Sequence, residues 1–171
     1  TMTADVPVFV DGGGTAWSGT AAGEIHTCAV KVGGSRWCWG SNNIGELGDG
    51  TFTPQLLPTQ IEDGGWIALA AGAQHTCGVQ SDNSLWCWGA NLNGQLGQTG
   101  TSFSTVPARV GTGTSWAMIR AAASQSCAIR SNGSLWCWGN NQSGQLGDGT
   151  TVDRSSPTQV GAGIVWATVA P

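Results

Sequence analysis

Hydrophobic residues in this chain occur in short runs separated by turns, and no segment carries apolar side chains at a sustained helical period. Residues 66–79, WIALAAGAQHTCGV, are followed by the polar stretch QSDNS and then by LWCWG. Strand-forming residues on both sides of an Asp-, Asn- and Ser-containing turn indicate a β-hairpin. Equally long turns, KVGGSR and RSNGSL, precede the other two copies of WCWG. The pattern therefore predicts an all-β chain.

The hairpin belongs to a longer unit that repeats along the chain. Trp17, Trp66, Trp116 and Trp166 follow one another at spacings of 49, 50 and 50 residues. After each WCWG comes a glycine-dependent corner, GELG or GQLG, then a loop rich in Ser, Thr and Pro, and then a short strand such as PTQIE. A period near 50 residues is typical of a four-stranded propeller blade. We therefore predict three four-stranded antiparallel β-propeller-type blades and a partial fourth unit at the C-terminus.

The proline-containing strand occurs four times and the hairpin only three times. On this basis we expect a single repeat domain over residues 1–171, with blade 1 at 7–57, blade 2 at 58–106, blade 3 at 107–156 and a partial unit at 157–171. Exposed strand edges at both ends can pair with other chains. They either fold back as caps or complete a neighbouring chain, giving a ring or a filament. The expected assembly strands contain Val8, Val10, Val160, Val165 and Trp166.

The six cysteines lie at equivalent places in the three units, ten positions apart across each hairpin turn. Opposed strand residues come close to disulfide reach. Six cysteines allow 15 pairings, and the repetition selects those within units. The predicted disulfides are Cys28–Cys38, Cys77–Cys87 and Cys127–Cys137. Three such bonds indicate an oxidising compartment, and hence an extracellular protein.

Each of these strands reads Trp-Cys-Trp, which places both tryptophans on the face opposite the cysteine. We expect these tryptophans to pack between blades rather than form an exposed strip that binds sugars. They are Trp37, Trp39, Trp86, Trp88, Trp136 and Trp138.

Charge is scarce: Asp, Glu, Lys and Arg make up 9% of the chain, against about a quarter in an average domain. The net charge is −4 without a basic cluster, which argues against nucleic acid as a partner. No apolar run is long enough to span a membrane. A surface of Ser, Thr, Asn, Gln and Gly suits packing against copies of itself, or glycans. The first residue is Thr1, which fits either a processed N-terminus or a fragment.

Candidate chemistry is sparse. His26 and His75 precede cysteines in HTC, a pairing that could suggest zinc or a Cys-His nucleophile, but Gln125 replaces histidine in the third unit. Asp49 and Asp148, in LGDGT, suit turn capping or calcium equally well. No cofactor motif and no paired carboxylates recur, so we expect no enzyme activity, metal or cofactor. Two glycosylation sequons begin at Asn132 and Asn141, and the Ser/Thr/Pro-rich loops suit O-linked sugars.

The phrases WCWGSNNIGELGDGT, LWCWGANLNGQLG and LWCWGNNQSGQLGDGT resemble the repeat of the regulator of chromosome condensation family. The resemblance covers roughly residues 17–160, and the cysteines make it more similar to secreted bacterial members than to the nuclear one. It implies a β-propeller, usually of seven blades. Family members include a nuclear exchange factor for a small GTPase and a secreted inhibitor of β-lactamases. No residue set in this chain matches either function, so the resemblance implies the fold alone.

Two hypotheses follow. The first is a secreted structural protein whose blades assemble head-to-tail, through terminal strands, into an extracellular filament or ring. The second is a non-catalytic binding module for a protein or glycan, which could be part of a longer propeller.

Overall fold

The computed structural model describes residues 16–61 and 64–170, and every sheet in this part of the chain is antiparallel. Blade 1 contains β1 (Trp17–Ala22), β2 (His26–Lys31), β3 (Arg36–Gly40) and β4 (Gln55–Ile61). Blade 2 contains β5 (Trp66–Ala71), β6 (His75–Gln80), β7 (Leu85–Ala90) and β8 (Phe103–Arg109). Blade 3 contains β9 (Trp116–Ala122), β10 (Gln125–Arg130), β11 (Leu135–Gly139) and β12 (Arg154–Val160). The predicted all-β class and the three four-stranded blades are confirmed.

The sheets divide the chain at different points from the boundaries expected at 57/58, 106/107 and 156/157. Each proline-containing strand closes the preceding blade: β4 pairs with β3, β8 with β7 and β12 with β11. Proline cannot donate a backbone hydrogen bond, so it is tolerated on the outermost strand of a sheet. The fourth such strand is therefore the outer strand of blade 3, and the described residues that follow it are 161–170.

The blades pack face to face around their first strands, since β5 contacts both β1 and β9. Where two blades meet, the cysteine-bearing face of the first, here called its back face, is turned towards the second. The second blade turns towards the first the face that carries both tryptophans of WCW, here called its front face. The largest apolar cluster, which includes Leu85, Trp116 and Trp138, fills the space between blades 2 and 3. A second one, around Val30 and Trp88, lies between blades 1 and 2.

The cysteines oppose each other across β2–β3, β6–β7 and β10–β11 in the pairing expected from the sequence. The sulfur atoms are 2.15, 2.08 and 2.17 Å apart in Cys28–Cys38, Cys77–Cys87 and Cys127–Cys137. All six cysteines of the chain are thus used in disulfides. Within the residues described, no helix is long and apolar enough to cross a membrane.

Candidate functional site

The junction between blades 1 and 2 is built around one main-chain carbonyl, that of Glu46 in the GELG corner. Thr76 Oγ1 donates a hydrogen bond to this carbonyl at 2.9 Å, and Trp88 Nε1 donates a second at 2.8 Å. His26 Nε2 lies 2.7 Å from Thr76 Oγ1. Because the threonine hydroxyl donates to the carbonyl, it accepts from the histidine, which fixes the proton of His26 on Nε2. Blade 1 thus supplies the histidine and the carbonyl, and blade 2 supplies the two donors.

The junction between blades 2 and 3 repeats the arrangement with different residues. The carbonyl of Gln95 accepts from Ser126 Oγ at 2.9 Å and from Trp138 Nε1 at 2.9 Å. His75 Nε2 lies 2.9 Å from the same serine hydroxyl. The four side chains that donate to the two carbonyls are fully buried: Thr76, Trp88, Ser126 and Trp138. The histidine of each HTC therefore contacts the next blade, and the cysteine is held in a disulfide. This arrangement is neither a metal site nor a nucleophile with a free thiol.

Burial holds both histidines neutral. Removal from water lowers the pKa of His26 from 6.5 to about 4. Burial, and then repulsion from His26, lowers the pKa of His75 to about 3, although a hydrogen bond with the backbone of Gln125 opposes the shift. The Nδ1 atom of His26, which a second proton would occupy, is buried without a hydrogen-bond partner. The two junctions are therefore assembled from neutral imidazoles.

A second contact links successive blades at the other end of the hairpin. The main-chain amide of Trp66 donates to the carbonyl of Gly34 at 3.1 Å, and that of Trp116 donates to Asn83 at 3.1 Å. Gly34 and Asn83 occupy the same turn position, with φ of +84° and +61°. This left-handed backbone turns the carbonyl towards the next blade, and glycine or asparagine adopts it at low cost. Each blade therefore receives the first strand of the next one at its hairpin turn.

The front face of blade 1 carries the same donors, and the described residues include no blade that packs on it. Thr27 and Trp39 are half-buried, whereas their counterparts Thr76 and Trp88 are fully buried. Neither has an acceptor among residues 16–61 and 64–170 for its hydroxyl or indole N–H. Trp17 is 37% exposed, against 1% for Trp66. This open front face is equipped for a junction that the described residues do not complete.

Residues 161–170 lie on the back face of blade 3. The amide of Trp166 donates to the carbonyl of Gly133 at 2.9 Å, which is the contact that begins blades 2 and 3. Trp166 and Val169 also pack against an apolar cluster that includes Leu135 and Val160. The segment therefore holds the place of the first strand of a fourth blade.

The residues expected to form assembly strands are thus dispersed. Val160 is buried in β12, opposite Leu135, where it is part of blade 3. Val165 is exposed, Trp166 lies on the hairpin of blade 3, and Val8 and Val10 fall outside the described residues. Of the six WCW tryptophans, Trp88 and Trp138 are fully buried, while Trp37, Trp39, Trp86 and Trp136 are half-buried.

An exposed apolar cavity of about 280 Å³ lies between the corner loops of blades 1 and 2. The rings of Phe52 and Phe103 meet edge to face at 5.7 Å in its wall. Ile44, Ala90 and Leu92 complete the apolar lining, and Asn43 and Ser102 are the polar residues. Leu92 is 79% exposed, Phe52 52% and Phe103 47%. These three large apolar side chains are therefore much more accessible to solvent than side chains of a folded core.

The corresponding place between blades 2 and 3 is polar. There Asn93 takes the position of Ile44, Gln142 that of Leu92, and Asp153 that of Phe103. Asn93 Nδ2 donates to Asp153 Oδ2 at 3.2 Å, at a polar pocket that Thr101 also lines. The apolar cavity is thus a departure from the repeat. A repeat pattern is defined by the residues that the units share, so it gives no sign of a site formed by residues that differ between them.

The acidic corner residues serve as turn caps. Asp49 Oδ1 accepts from the amide of Thr51 at 2.9 Å, and Asp148 Oδ1 accepts from the amide of Thr150 at 2.9 Å. Arg154 lies 2.6 Å from Asp148. The hydrogen bond from the Thr150 side chain, and then that from Arg154, holds the pKa of Asp148 well below its usual range. Within the part of the chain described, no group of three His, Cys, Asp or Glu residues could hold a metal.

The two glycosylation sequons differ in accessibility. Asn132 is exposed, and its Oδ1 accepts from the amide of Ser134 at 3.0 Å, which leaves Nδ2 to solvent. Asn141 is fully buried, and its Nδ2 donates to Asp148 Oδ1 at 3.0 Å and to the carbonyl of Val152 at 3.1 Å. A glycan on this nitrogen is incompatible with the folded corner, so the expectation of a site at Asn141 is wrong. Asn132 stays a prediction.

Comparison with known proteins identifies the repeat. The model of the regulator of chromosome condensation (RCC1) repeat matches residues 34–79, 82–129 and 132–168, which together exceed half of the chain. A second model of the same repeat matches residues 66–95. A search of curated proteins found no match.

Solved structures share the fold. Yeast RCC1 (Prp20), in its complex with Kap60, has a TM-score of 0.78 at 21% identity, covering 92% of this chain and 39% of that one. Prp20p from Saccharomyces cerevisiae, in work on its binding to Gsp1p and histones, gives 0.77 at 21% identity, with coverages of 92% and 41%. Human WBSCR16 gives 0.77 at 24% identity, with 86% and 40%. This chain spans about two fifths of the length of these propellers. It belongs to the RCC1 repeat family.

Proposed function

We propose that this chain is a non-catalytic binding module, a three-blade propeller sector that holds a protein partner on the corner loops of blades 1 and 2. The apolar cavity between these loops carries the proposal. Phe52, Leu92 and Phe103 are exposed in it and Ile44 is half-buried, and blade 3 has none of these four at the equivalent positions. Large apolar side chains grouped on the surface of a soluble protein are typical of interaction sites.

The chemistry of the cavity favours a protein over a glycan or a nucleic acid. Its wall is formed mainly by apolar groups, and two aromatic rings are the kind of anchor that dominates binding energy at protein interfaces. Phosphates would need basic groups, and sugars more polar groups than Asn43 and Ser102, which are the polar residues of this lining. The structures that share the fold include yeast RCC1 bound to Kap60. The partner residue that fits is an apolar or aromatic side chain flanked by polar groups.

Three disulfides in 171 residues favour an oxidising compartment. We accordingly propose that the protein acts outside the cell, as a cysteine-containing secreted member of the family.

The test is selection of displayed random peptides against the full, unreduced chain, with affinities then measured by biolayer interferometry. Selected peptides should share an aromatic or aliphatic anchor. Phe103→Ser should weaken their affinity about tenfold or more, as loss of an interface anchor does. Val152→Ser is the matched control, because Val152 is a similarly exposed apolar residue on the corner loop of blade 3. An equal loss of peptide affinity in both variants, or no loss of affinity in Phe103→Ser, would refute the proposed surface.

A second candidate function is architectural, and the open front face of blade 1 favours it. Trp17 is exposed there, and Thr27 and Trp39 are half-buried, whereas the residues at the same positions in blades 2 and 3 are buried. We propose that copies of the chain pack head-to-tail through blade faces into a ring or filament. Light scattering and negative-stain images of the unreduced protein test this: growth of mass with concentration supports it, and a single-chain mass at every concentration opposes it.

A further inference from the structure

The open front face of blade 1 offers two hydrogen-bond donors in a geometry that the chain uses twice elsewhere. At the two complete junctions, a hydroxyl on the second strand and an indole N–H on the third strand converge on one carbonyl at 2.8 to 2.9 Å. Thr27 and Trp39 hold these two positions in blade 1. The acceptor that fits this geometry is the corner carbonyl of another blade, as at the other two junctions.

Blade 3 carries a matching acceptor. Gln145 stands in the GQLG corner where Glu46 and Gln95 stand in the other blades, and it is exposed whereas they are buried. A Cβ atom on Gly45 would lie 2.7 Å from the Cα of Thr105 in the next blade, but one on Gly144 would have only its own loop within 4 Å. The corner of blade 3 is thus shaped for a following blade.

Residues 161–170 cover part of the same back face. Trp166 reproduces the amide contact of Trp66 and Trp116 at the hairpin end of the blade, as described above. The segment gives no hydrogen bond to the carbonyl of Gln145 at the corner end. An incoming blade 1 would place its Trp17 where Trp166 now lies, because Trp17 is the equivalent residue of the repeat.

We infer that the back face of blade 3 receives blade 1 of a second copy, with Thr27 and Trp39 of that copy donating to the carbonyl of Gln145, and that residues 161–170 compete for this face. The inference rests on the architectural proposal and names its interface. A second copy is the proposed occupant, since the front face of its blade 1 carries the donors and the back face of blade 3 carries the acceptor. The tail then sets how readily copies associate.

The experiment is sedimentation of the full, unreduced chain over a wide range of concentrations. Trp166→Ser should weaken the contact of residues 161–170 with the back face of blade 3 and so lower the dissociation constant for self-association. Adding Thr27→Val and Trp39→Phe to that variant should raise the constant about tenfold or more, as expected for two lost hydrogen bonds. Near-ultraviolet circular dichroism and the melting temperature verify that each variant is folded.

Trp86→Phe is the matched control. Trp86 Nε1 donates to Ser84 of its own hairpin at 2.8 Å, so this change removes an indole N–H without touching the proposed interface. If Trp166→Ser associates but the Thr27/Trp39 substitutions have no more effect than Trp86→Phe, the inferred interface is wrong and the architectural function survives. If neither wild type nor Trp166→Ser associates, both are wrong.

Discussion

Protonation of the two junction histidines should make the protein less stable in mild acid. In the unfolded chain both imidazoles take up a proton near pH 6.5, whereas in the folded chain burial lowers the pKa of His26 to about 4 and that of His75 to about 3. Their contribution to stability is therefore complete above pH 6.5, and it is lost progressively as the pH falls towards 4 and 3, because the unfolded chain binds more protons.

The size of the effect follows from these values. Each histidine should lower the free energy of unfolding by about 1.4 kcal/mol per pH unit below 6.5, or about 2 kcal/mol between pH 7.5 and pH 5. The pair should thus cost about 4 kcal/mol over this interval, a large part of the stability of a typical domain. Carboxylates titrate mainly below this window, so the histidines dominate it.

Urea unfolding of the unreduced protein at a series of pH values measures the effect. The variants are His26→Gln and His75→Gln, because Gln125 holds the equivalent position in blade 3 and does not titrate. Each should remove about half of the slope, and the double variant should be nearly flat from pH 7.5 to 5. A wild-type stability that is constant over this range, or a double variant that keeps the full slope, would refute the assignment of buried, neutral histidines.

Three further outcomes are expected. Trp138→Phe should lower stability by about 1 kcal/mol through loss of the bond to the Gln95 carbonyl, whereas Trp39→Phe, which loses no such bond, should be nearly neutral in urea unfolding. Replacing Cys77 and Cys87 together by serine should cost about 3 kcal/mol, since their disulfide closes a loop between residues ten apart, and the midpoint of unfolding should fall accordingly. In a host that attaches N-linked glycans, peptide mapping should find sugar at Asn132 and none at Asn141; a glycan at Asn141 in folded protein would contradict the buried amide.

The blades can be predicted from the sequence because the same pattern of strands and turns occurs three times. The cysteine pairing follows from the register of the hairpin, in which Cys77 lies opposite Cys87. This register is set locally and does not depend on contacts with distant parts of the chain. The sequence alone does not assign the proline-containing strands to a blade, because a strand between two units can close the first or open the second. Only the pairing of β12 with β11 decides this, and it depends on contacts across a long loop.

The junctions themselves could not be read from local patterns. His26 meets Thr76 across 50 residues, and their roles emerge only when two blades lie face to face. Asn141 looked like a free sequon because its neighbours are polar, yet the corner folds around its amide. The cavity at Phe52 and Phe103 arises from residues that differ between units, so the repetition that reveals the fold conceals the binding surface.

The most direct test of this account is hydrogen exchange of the tryptophan indole N–H groups, followed by NMR in dilute protein. The indoles of Trp88 and Trp138 are bonded to corner carbonyls in closed junctions, so their exchange should be slow. Trp39 occupies the same position on the open front face of blade 1, and its indole should exchange much faster. Equally slow exchange at all three positions would show that the front face of blade 1 is already covered. That result would contradict the central claim that this face is open to another blade.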